Sequence, residues 1–298
     1  MSVPIHTENL AKKFRRVDAL TALNLNVPSG AIYALVGPNG AGKTTAIKIL
    51  MNIFPASSGR AEVLGMNSTE IRGKAFTSIG YVSENQKLPD WMQVQTFFDY
   101  LRPFYPTWDR DLEKQLVKQL ALPLDRKLKH LSRGMRMKAA LAGALAYRPR
   151  LIVMDEPFSG LDPLVRDELT EGMLERAEEA TIFISSHDLA EIENLASNVG
   201  YLEQGRLLFS EEMSTLTRRF REVEVTLHAP APPGLKFPAS WMQVKSSAAV
   251  VQFIESHFDE QRTPSEIRSV FGEPRDVTFT PMSLRGIFLA IAKTGRES

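Results

Sequence analysis

Nine residues, Gly37-Pro38-Asn39-Gly40-Ala41-Gly42-Lys43-Thr44-Thr45, hold the densest chemistry in the chain, and they lie between the apolar run Ile32–Val36 and the helix-patterned Ala46-Ile47-Lys48-Ile49-Leu50. This is strand, glycine loop and helix start. Three glycines let the backbone turn with successive N–H groups facing inward, and the helix behind them adds its positive end, so the loop suits a chain of phosphates. Lys43 then reaches the β/γ-phosphates and the Thr44 hydroxyl is placed to ligate Mg²⁺. A second set of chemical groups follows another apolar run. Leu151-Ile152-Val153-Met154 reads as a strand buried on both faces, and it delivers Asp155-Glu156 at its C-terminal end. Two carboxylates there are costly unless a metal or a water uses them. Thr181–Ser185 is a further buried run that ends at Ser186-His187-Asp188, which sets His187 on the same rim. Leu131-Ser132-Arg133-Gly134-Met135 opens a long helix from Arg136 to Tyr147; Ser132 is a good N-cap, and Gly134 allows close approach, giving a second helix N-terminus suited to phosphate.

The elements that position these groups read as an α/β domain. Pro4–Leu10 and Ala22–Val27 are strand candidates, Ala61–Leu64 and Ile79–Val82 are two more, and the latter ends at Ser83-Glu84-Asn85-Gln86. From Leu88 to His130 helix formers dominate, cut by Pro103, Pro106 and Pro123. Trp91, Phe97, Phe98, Tyr100, Phe104, Tyr105 and Trp108 crowd its first half, as a local core or a groove for a partner. Phe14 has two readings as well, a core ring or an exposed ring on which adenine stacks. Ser159–Pro163 is a turn and helix start, Leu164–Glu179 a charged amphipathic helix, and Val199–Leu208 a strand-turn-strand that closes the domain near Glu211. The basic run Arg218-Arg219-Phe220-Arg221 reads as a solvated helix face. Beyond Pro230–Gly234, a loop, Val244–Ile254, Glu266–Phe271, Val277–Thr280 and Leu284–Ala292 read as strand, helix, strand and helix.

Composition removes several classes of function. The 298 residues suit one large or two ordinary domains, and a formal charge of +1 indicates neither a nucleic-acid nor an acidic partner. With no cysteine there is no disulfide, thiolate zinc site or thiol nucleophile. No run reaches the ~18 apolar residues that cross a bilayer and Met1–Phe14 has no apolar core of a leader, so the chain is expected to be soluble and cytoplasmic.

Taken in this order, the motifs from about Ile5 to Phe209 resemble the ATP-binding subunit of an ABC transporter. Gly37–Thr44 match Walker A, Leu151–Glu156 match Walker B with the catalytic carboxylate, Ser159–Asp162 match the D-loop and His187 the switch histidine. Leu131–Met135 fall on the signature, usually Leu-Ser-Gly-Gly-Gln, from which Arg133 and Met135 depart; Glu84 stands where the Q-loop usually has Gln, with Gln86 two residues on. The resemblance implies a P-loop NTPase core (residues 1–213) with a helical insertion at about 87–150, and leaves residues 214–298 as a small α+β accessory domain. It implies ATP and Mg²⁺ as cofactors. Lys43, Glu156 and His187 are then catalytic; Phe14, Gly37, Asn39, Gly40, Gly42, Lys43, Thr44, Thr45, Ser132, Gly134 and Asp162 bind nucleotide; and Thr44, Asp155 and Glu84 hold the metal. In the family one subunit's signature covers the other's ATP, so a homodimer or a dimer with a related ATPase subunit is implied. A separate integral membrane permease, in the manner of bacterial exporters, would receive its motion, with the chain peripheral on the inner face of the cell membrane. The competing class is an ABC-type ATPase acting on DNA or ribosomes. Its coiled-coil and two-ATPase-domain forms have no counterpart here, and no nucleic-acid partner is expected.

Overall fold

The computed structural model describes residues 3–177, 179–232 and 234–297. The chain divides into two compact units between Ser210 and Glu211. The first begins with a hairpin, β1 (Ile5–Phe14) and β2 (Val17–Val27), then β3 (Ile32–Val36) and α1 (Lys43–Leu50). Both strands of the hairpin run several residues beyond the predicted segments, because the chain reverses through Arg15 at a positive φ of 50° and Phe14 pairs with Val17. No glycine marks that turn. β4 (Ser58–Val63) and β5 (Met66–Asn67) complete an antiparallel sheet of order β2-β1-β4-β5. Next come β6 (Ile79–Ser83), α2 (Val94–Leu101), α3 (Arg110–Gln119), α4 (Arg133–Leu145), β7 (Leu151–Asp155), α5 (Pro163–Ala177), β8 (Thr181–Ser186), β9 (Asn198–Glu203) and β10 (Arg206–Glu212).

The second sheet has the order β10-β9-β3-β8-β7-β6, with β9, β3, β8, β7 and β6 mutually parallel. Every residue of β3, β7 and β8 is buried, as continuous apolar strands covered on both faces must be. The register then fixes the site. Val36 lies opposite Ser186, Asp155 opposite Ser185, and Ser83 opposite Asp155, so the residues after β3, β8, β7 and β6 emerge on one rim. That rim is where parallel sheets expose their chemistry.

The insertion between β6 and β7 carries α2, α3 and α4. Part of its aromatics form the expected local core, with Phe97 and Phe98 buried and Tyr105 stacked on Tyr147 at 3.9 Å, whereas Trp91, Tyr100 and Phe104 are exposed. The Tyr147 hydroxyl donates to the carbonyl of Ile79 at 2.8 Å, which ties the end of the insertion to β6.

The second unit holds α6 (Met213–Arg219), β11 (Arg221–Thr226), β12 (Trp241–Ser247), β13 (Val250–Glu255), α7 (Arg262–Phe271), β14 (Asp276–Pro281) and α8 (Leu284–Glu297). Its antiparallel sheet has the order β12-β13-β11-β14. The single strand expected over Val244–Ile254 is two, because Ala248 turns the chain at a φ of 51° without glycine. Alternation along β11 and β13 sends Val223, Val225, Val251 and Phe253 to a core with Trp241 and Ile267, and Glu222, Glu224 and Gln252 to the other face. Of the basic run only Arg218 is exposed: Arg219 forms a fork to Glu211 at 2.6 and 2.9 Å and donates to the Ser256 carbonyl, while Arg221 lies over the Phe258 ring.

Candidate functional site

Gly42 is the N-cap of α1 in a left-handed conformation (φ 109°), which turns the loop so that Lys43 starts the helix. Pro38, Asn39 and Gly40 are exposed, Ala41 N–H closes the turn on the Pro38 carbonyl, and Thr45 sits in the first turn of α1. The Lys43 ammonium is almost wholly buried. It donates to the carbonyls of Gly37 (2.7 Å) and Pro38 (3.3 Å) and pairs with Glu156 at 3.1 Å. A buried ammonium requires such a ring of acceptors. The Thr44 hydroxyl donates to Asp155 Oδ1 at 2.9 Å and Ser185 donates to the same oxygen at 2.8 Å. Burial pushes the Asp155 carboxyl above its ordinary range, the two hydroxyl donors oppose that, and the neighbouring Glu156 charge adds to it.

Glu156 has a positive φ of 53°, unusual for a residue with a side chain, and its N–H donates to Ser185 Oγ at 3.0 Å. The bend aims its carboxylate at two partners, the Lys43 ammonium and His187 Nδ1, the latter at 2.7 Å. A carboxylate acceptor selects the Nδ1–H tautomer, leaving Nε2 for another contact. The structure therefore brings Lys43, Thr44, Asp155, Glu156 and His187 into one connected cluster.

Other expected site residues lie around it. Ser132 caps α4 by accepting the Met135 N–H at 3.2 Å. A Cβ on Gly134 would lie 3.0 Å from Val165 Cγ1, so the glycine sets how closely α4 meets the start of α5. Asp162 Oδ1 accepts the Val165 N–H at 3.0 Å and so caps α5. Phe14 is exposed at the end of the β1–β2 hairpin, edge-on to Phe54 with Lys12 Nζ 4.9 Å from its ring centre. That is no core position. Glu84 continues the ladder through its N–H to the Asp155 carbonyl, but its carboxylate is taken by Arg133 and by Ser159 Oγ at 3.0 Å. Among the described residues no group of three or more His, Cys, Asp or Glu is arranged to hold a metal ion.

Two contributors escaped the sequence reading. Ser185 organises both Asp155 and Glu156, and its signal is a hydroxyl that follows the apolar, buried Ile182-Phe183-Ile184 of β8. Glu191 accepts from Ser186 Oγ at 2.5 Å and faces Arg166 of α5 at 3.4 Å, which links the segment after His187 to the helix that Asp162 caps. Burial raises its carboxyl above the ordinary range, with Ser186 and Arg166 acting against it. The folded state thus keeps the proton to higher pH than the unfolded chain, and the associated stability is lost as pH rises through that raised value. Glu191→Gln stays neutral, so its melting temperature relative to the wild type is expected to climb as the pH is raised from about 4. Thermal melts across that range check it, and a difference that shrinks with pH would contradict the sign.

Residues 20–159 match the ABC transporter family. The bacitracin transport ATP-binding protein BcrA of Enterococcus faecalis is 32% identical over 229 residues, which cover 74% of this chain and 73% of that protein. The lantibiotic transport ATP-binding protein SrtF of Streptococcus pyogenes is 32% identical over 208 residues, covering 69% and 89%. An uncharacterized ABC transporter ATP-binding protein of Synechocystis is matched over only 62% of its length. Among solved structures, an ATP-binding subunit of an ABC transporter superposes with a TM-score of 0.67 at 26% identity, covering 73% of this chain and 92% of that one. A dimeric ATP-binding cassette bound to ADP and phosphate shares the fold, with a TM-score of 0.63 at 21% identity, covering 70% of this chain and 98% of that one. The fold and its rim define a P-loop ATPase with a helical insertion. The chain belongs to the ABC transporter ATP-binding family and is an ATPase of that class.

Proposed function

We propose that the chain drives a separate membrane permease, as an exporter, by closing and reopening an ATP-containing dimer, either of two copies or with a related subunit. The observation that carries this reading is the connected cluster of Lys43, Thr44, Asp155, Glu156 and His187 on one rim, spanned by contacts of 2.7–3.1 Å. BcrA and SrtF are named as transport proteins for bacitracin and a lantibiotic, which supports a transport role. No helix among the described residues is long and apolar enough to cross a membrane, so in this reading a partner supplies the pore and the chain sits against it from the cytoplasm.

ATP is the substrate. Gly37, Asn39, Gly40, Gly42 and Thr45 lie in the loop and first helical turn whose N–H groups wrap its phosphates, and Phe14 offers an exposed ring to the adenine. Lys43 neutralises the β/γ-phosphates, exchanging the Glu156 carboxylate for phosphate oxygen. Thr44 Oγ1 and Asp155 are hard oxygen donors within hydrogen-bond distance of each other, and the hydroxyl points its proton at the carboxylate, leaving its lone pairs for a cation. These two residues fit Mg²⁺, which when bound screens the charge that develops on the phosphates. Glu156, freed from Lys43, accepts a hydrogen bond from the attacking water and orients it. His187 donates a hydrogen bond from Nδ1–H to Glu156, fixing that carboxylate, and with a second proton on Nε2 the same ring would donate to a γ-phosphate oxygen. Ser132 and Gly134 face the nucleotide of the opposite subunit, and Asp162 holds the helix start beside them.

The test is capture of tagged Glu156→Gln protein from gently solubilised native membranes with ATP·Mg²⁺. Recovery of a multi-span membrane protein is the expected result. Recovery of only ribosomal or nucleic-acid-bound partners, from protein that still forms the ATP dimer, would retain the ATPase and overturn the transport role.

A further inference from the structure

Glu84 and Arg133, both departures from the family's usual residues, are 49 positions apart in the chain and touch in the fold. The reason begins with α4. Arg133 is the first residue of that helix, where the unpaired N–H groups and the helix dipole make a poor setting for a cation, and no acidic residue occupies the first turn. The missing negative charge comes from elsewhere. Glu84, placed immediately beyond β6 by its N–H bond to the Asp155 carbonyl, meets the Arg133 guanidinium, and Arg136 in the next turn pairs with Asp90 at 2.6 Å. Two arginines at the start of one helix thus each hold a carboxylate from the segment leading into the insertion.

A third segment joins them. Ser159 Oγ donates to Glu84 Oε1 at 3.0 Å, and the Arg133 guanidinium lies over Gly160, where a Cβ would come within 2.7 Å of Nη1. The loop after β6, the capped start of α4 and the turn after Glu156 therefore meet at one ionic junction. Each belongs to a different part of the ATPase machinery.

We propose that Glu84 and Arg133 form a matched brace that positions Ser132 and Gly134 for the opposite subunit's nucleotide, so that Glu84 is a positioning residue acting through Arg133 and not a ligand of the metal. The proposal rests on the ATPase reading of the preceding section. An Arg left free beside the signature turn would swing toward any phosphate bound there; tied to Glu84 and packed on Gly160, it sets the angle of the turn instead. A single surface ion pair contributes little, but this one is joined to a hydroxyl donor, with a second pair one turn further along α4.

The experiment is a double-mutant cycle on the full chain, with ATP turnover, equilibrium ATP·Mg²⁺ affinity and the Mg²⁺ concentration for half-maximal turnover measured for wild type, E84Q, R133A, E84Q/R133A and R133K. E84Q and R133A are each expected to lower kcat about tenfold, the scale of a misplaced group in a catalytic assembly. Losses in the double variant should not multiply, the Mg²⁺ requirement should stay within about twofold, and R133K, which keeps the charge, should recover most of the activity. A metal ligand predicts otherwise. If E84Q alone raised the Mg²⁺ requirement tenfold or more, Glu84 would belong to the metal site and the brace would be overturned. Multiplying losses, or singles indistinguishable from an active wild type, would overturn it equally. Lowered ATP-driven dimerisation in R133A but not in E84Q would make Arg133 a phosphate contact in trans and also remove the brace. A wild type without turnover would instead strike the ATPase reading itself.

Discussion

Glu156→Gln is expected to lower steady-state ATP turnover by about 10²–10³-fold while leaving nucleotide affinity intact or improved. The substitution is nearly isosteric, so the positive-φ bend and the N–H bond to Ser185 are expected to persist. What disappears is the negative charge that accepts from a water and balances Lys43 and His187. Loss of that charge has opposite consequences for binding and for chemistry. With the carboxylate gone, the buried Lys43 ammonium has only the Gly37 and Pro38 carbonyls, and its attraction for phosphate rises. The water, by contrast, meets an amide too weakly basic to polarise it. Turnover by phosphate release and dimer formation by size-exclusion chromatography with ATP separate the two effects. Unchanged turnover would remove Glu156 from the reaction, and loss of ATP binding would recast it as a support for the Lys43 loop alone.

How much of this arrangement the sequence discloses depends on the range of the interaction. Gly37–Thr45, Leu151–Glu156 and Thr181–His187 were legible because each is local, an apolar strand with its reactive residues at one end, and five parallel strands in register force those ends together. The Ser132 cap was legible for the same reason. Contacts between distant segments were not. The resemblance makes Glu84 a metal ligand, and its engagement with Arg133 and Ser159 needs three loops brought together by the fold. Arg219 reads as solvated because nothing local announces Glu211 and Ser256. Turns made by residues with side chains, Arg15 and Ala248, carry no glycine signal, so one hairpin reads short and another as a single strand.

The three loop glycines are expected to differ in cost when each is replaced by alanine, and the order is a test of the loop's seating. Gly40 has a φ of 81° and open space around a would-be Cβ, so Gly40→Ala carries only the left-handed penalty of about 1–2 kcal/mol. Gly37 and Gly42 are different. A Cβ at Gly37 would lie 2.0 Å from the Leu202 carbonyl oxygen of β9, and one at Gly42 would lie 2.4 Å from the Ala19 carbonyl oxygen of β2, with a φ of 109° as well. Both obstacles are backbone and cannot turn aside, so these variants are expected to lose about 3 kcal/mol or more of stability, through overpacking in one and overpacking plus strain in the other. Nucleotide affinity should fall with them, because a loop pushed off β9 and β2 no longer directs its N–H groups or Lys43 to one point. Urea unfolding and ATP titration of the three variants measure both quantities. Three equal losses would mean that the glycines serve turning alone; a deficit concentrated at Gly37 and Gly42 would mean that two of them hold the phosphate loop against its neighbouring strands, so that the motif records packing as much as phosphate recognition.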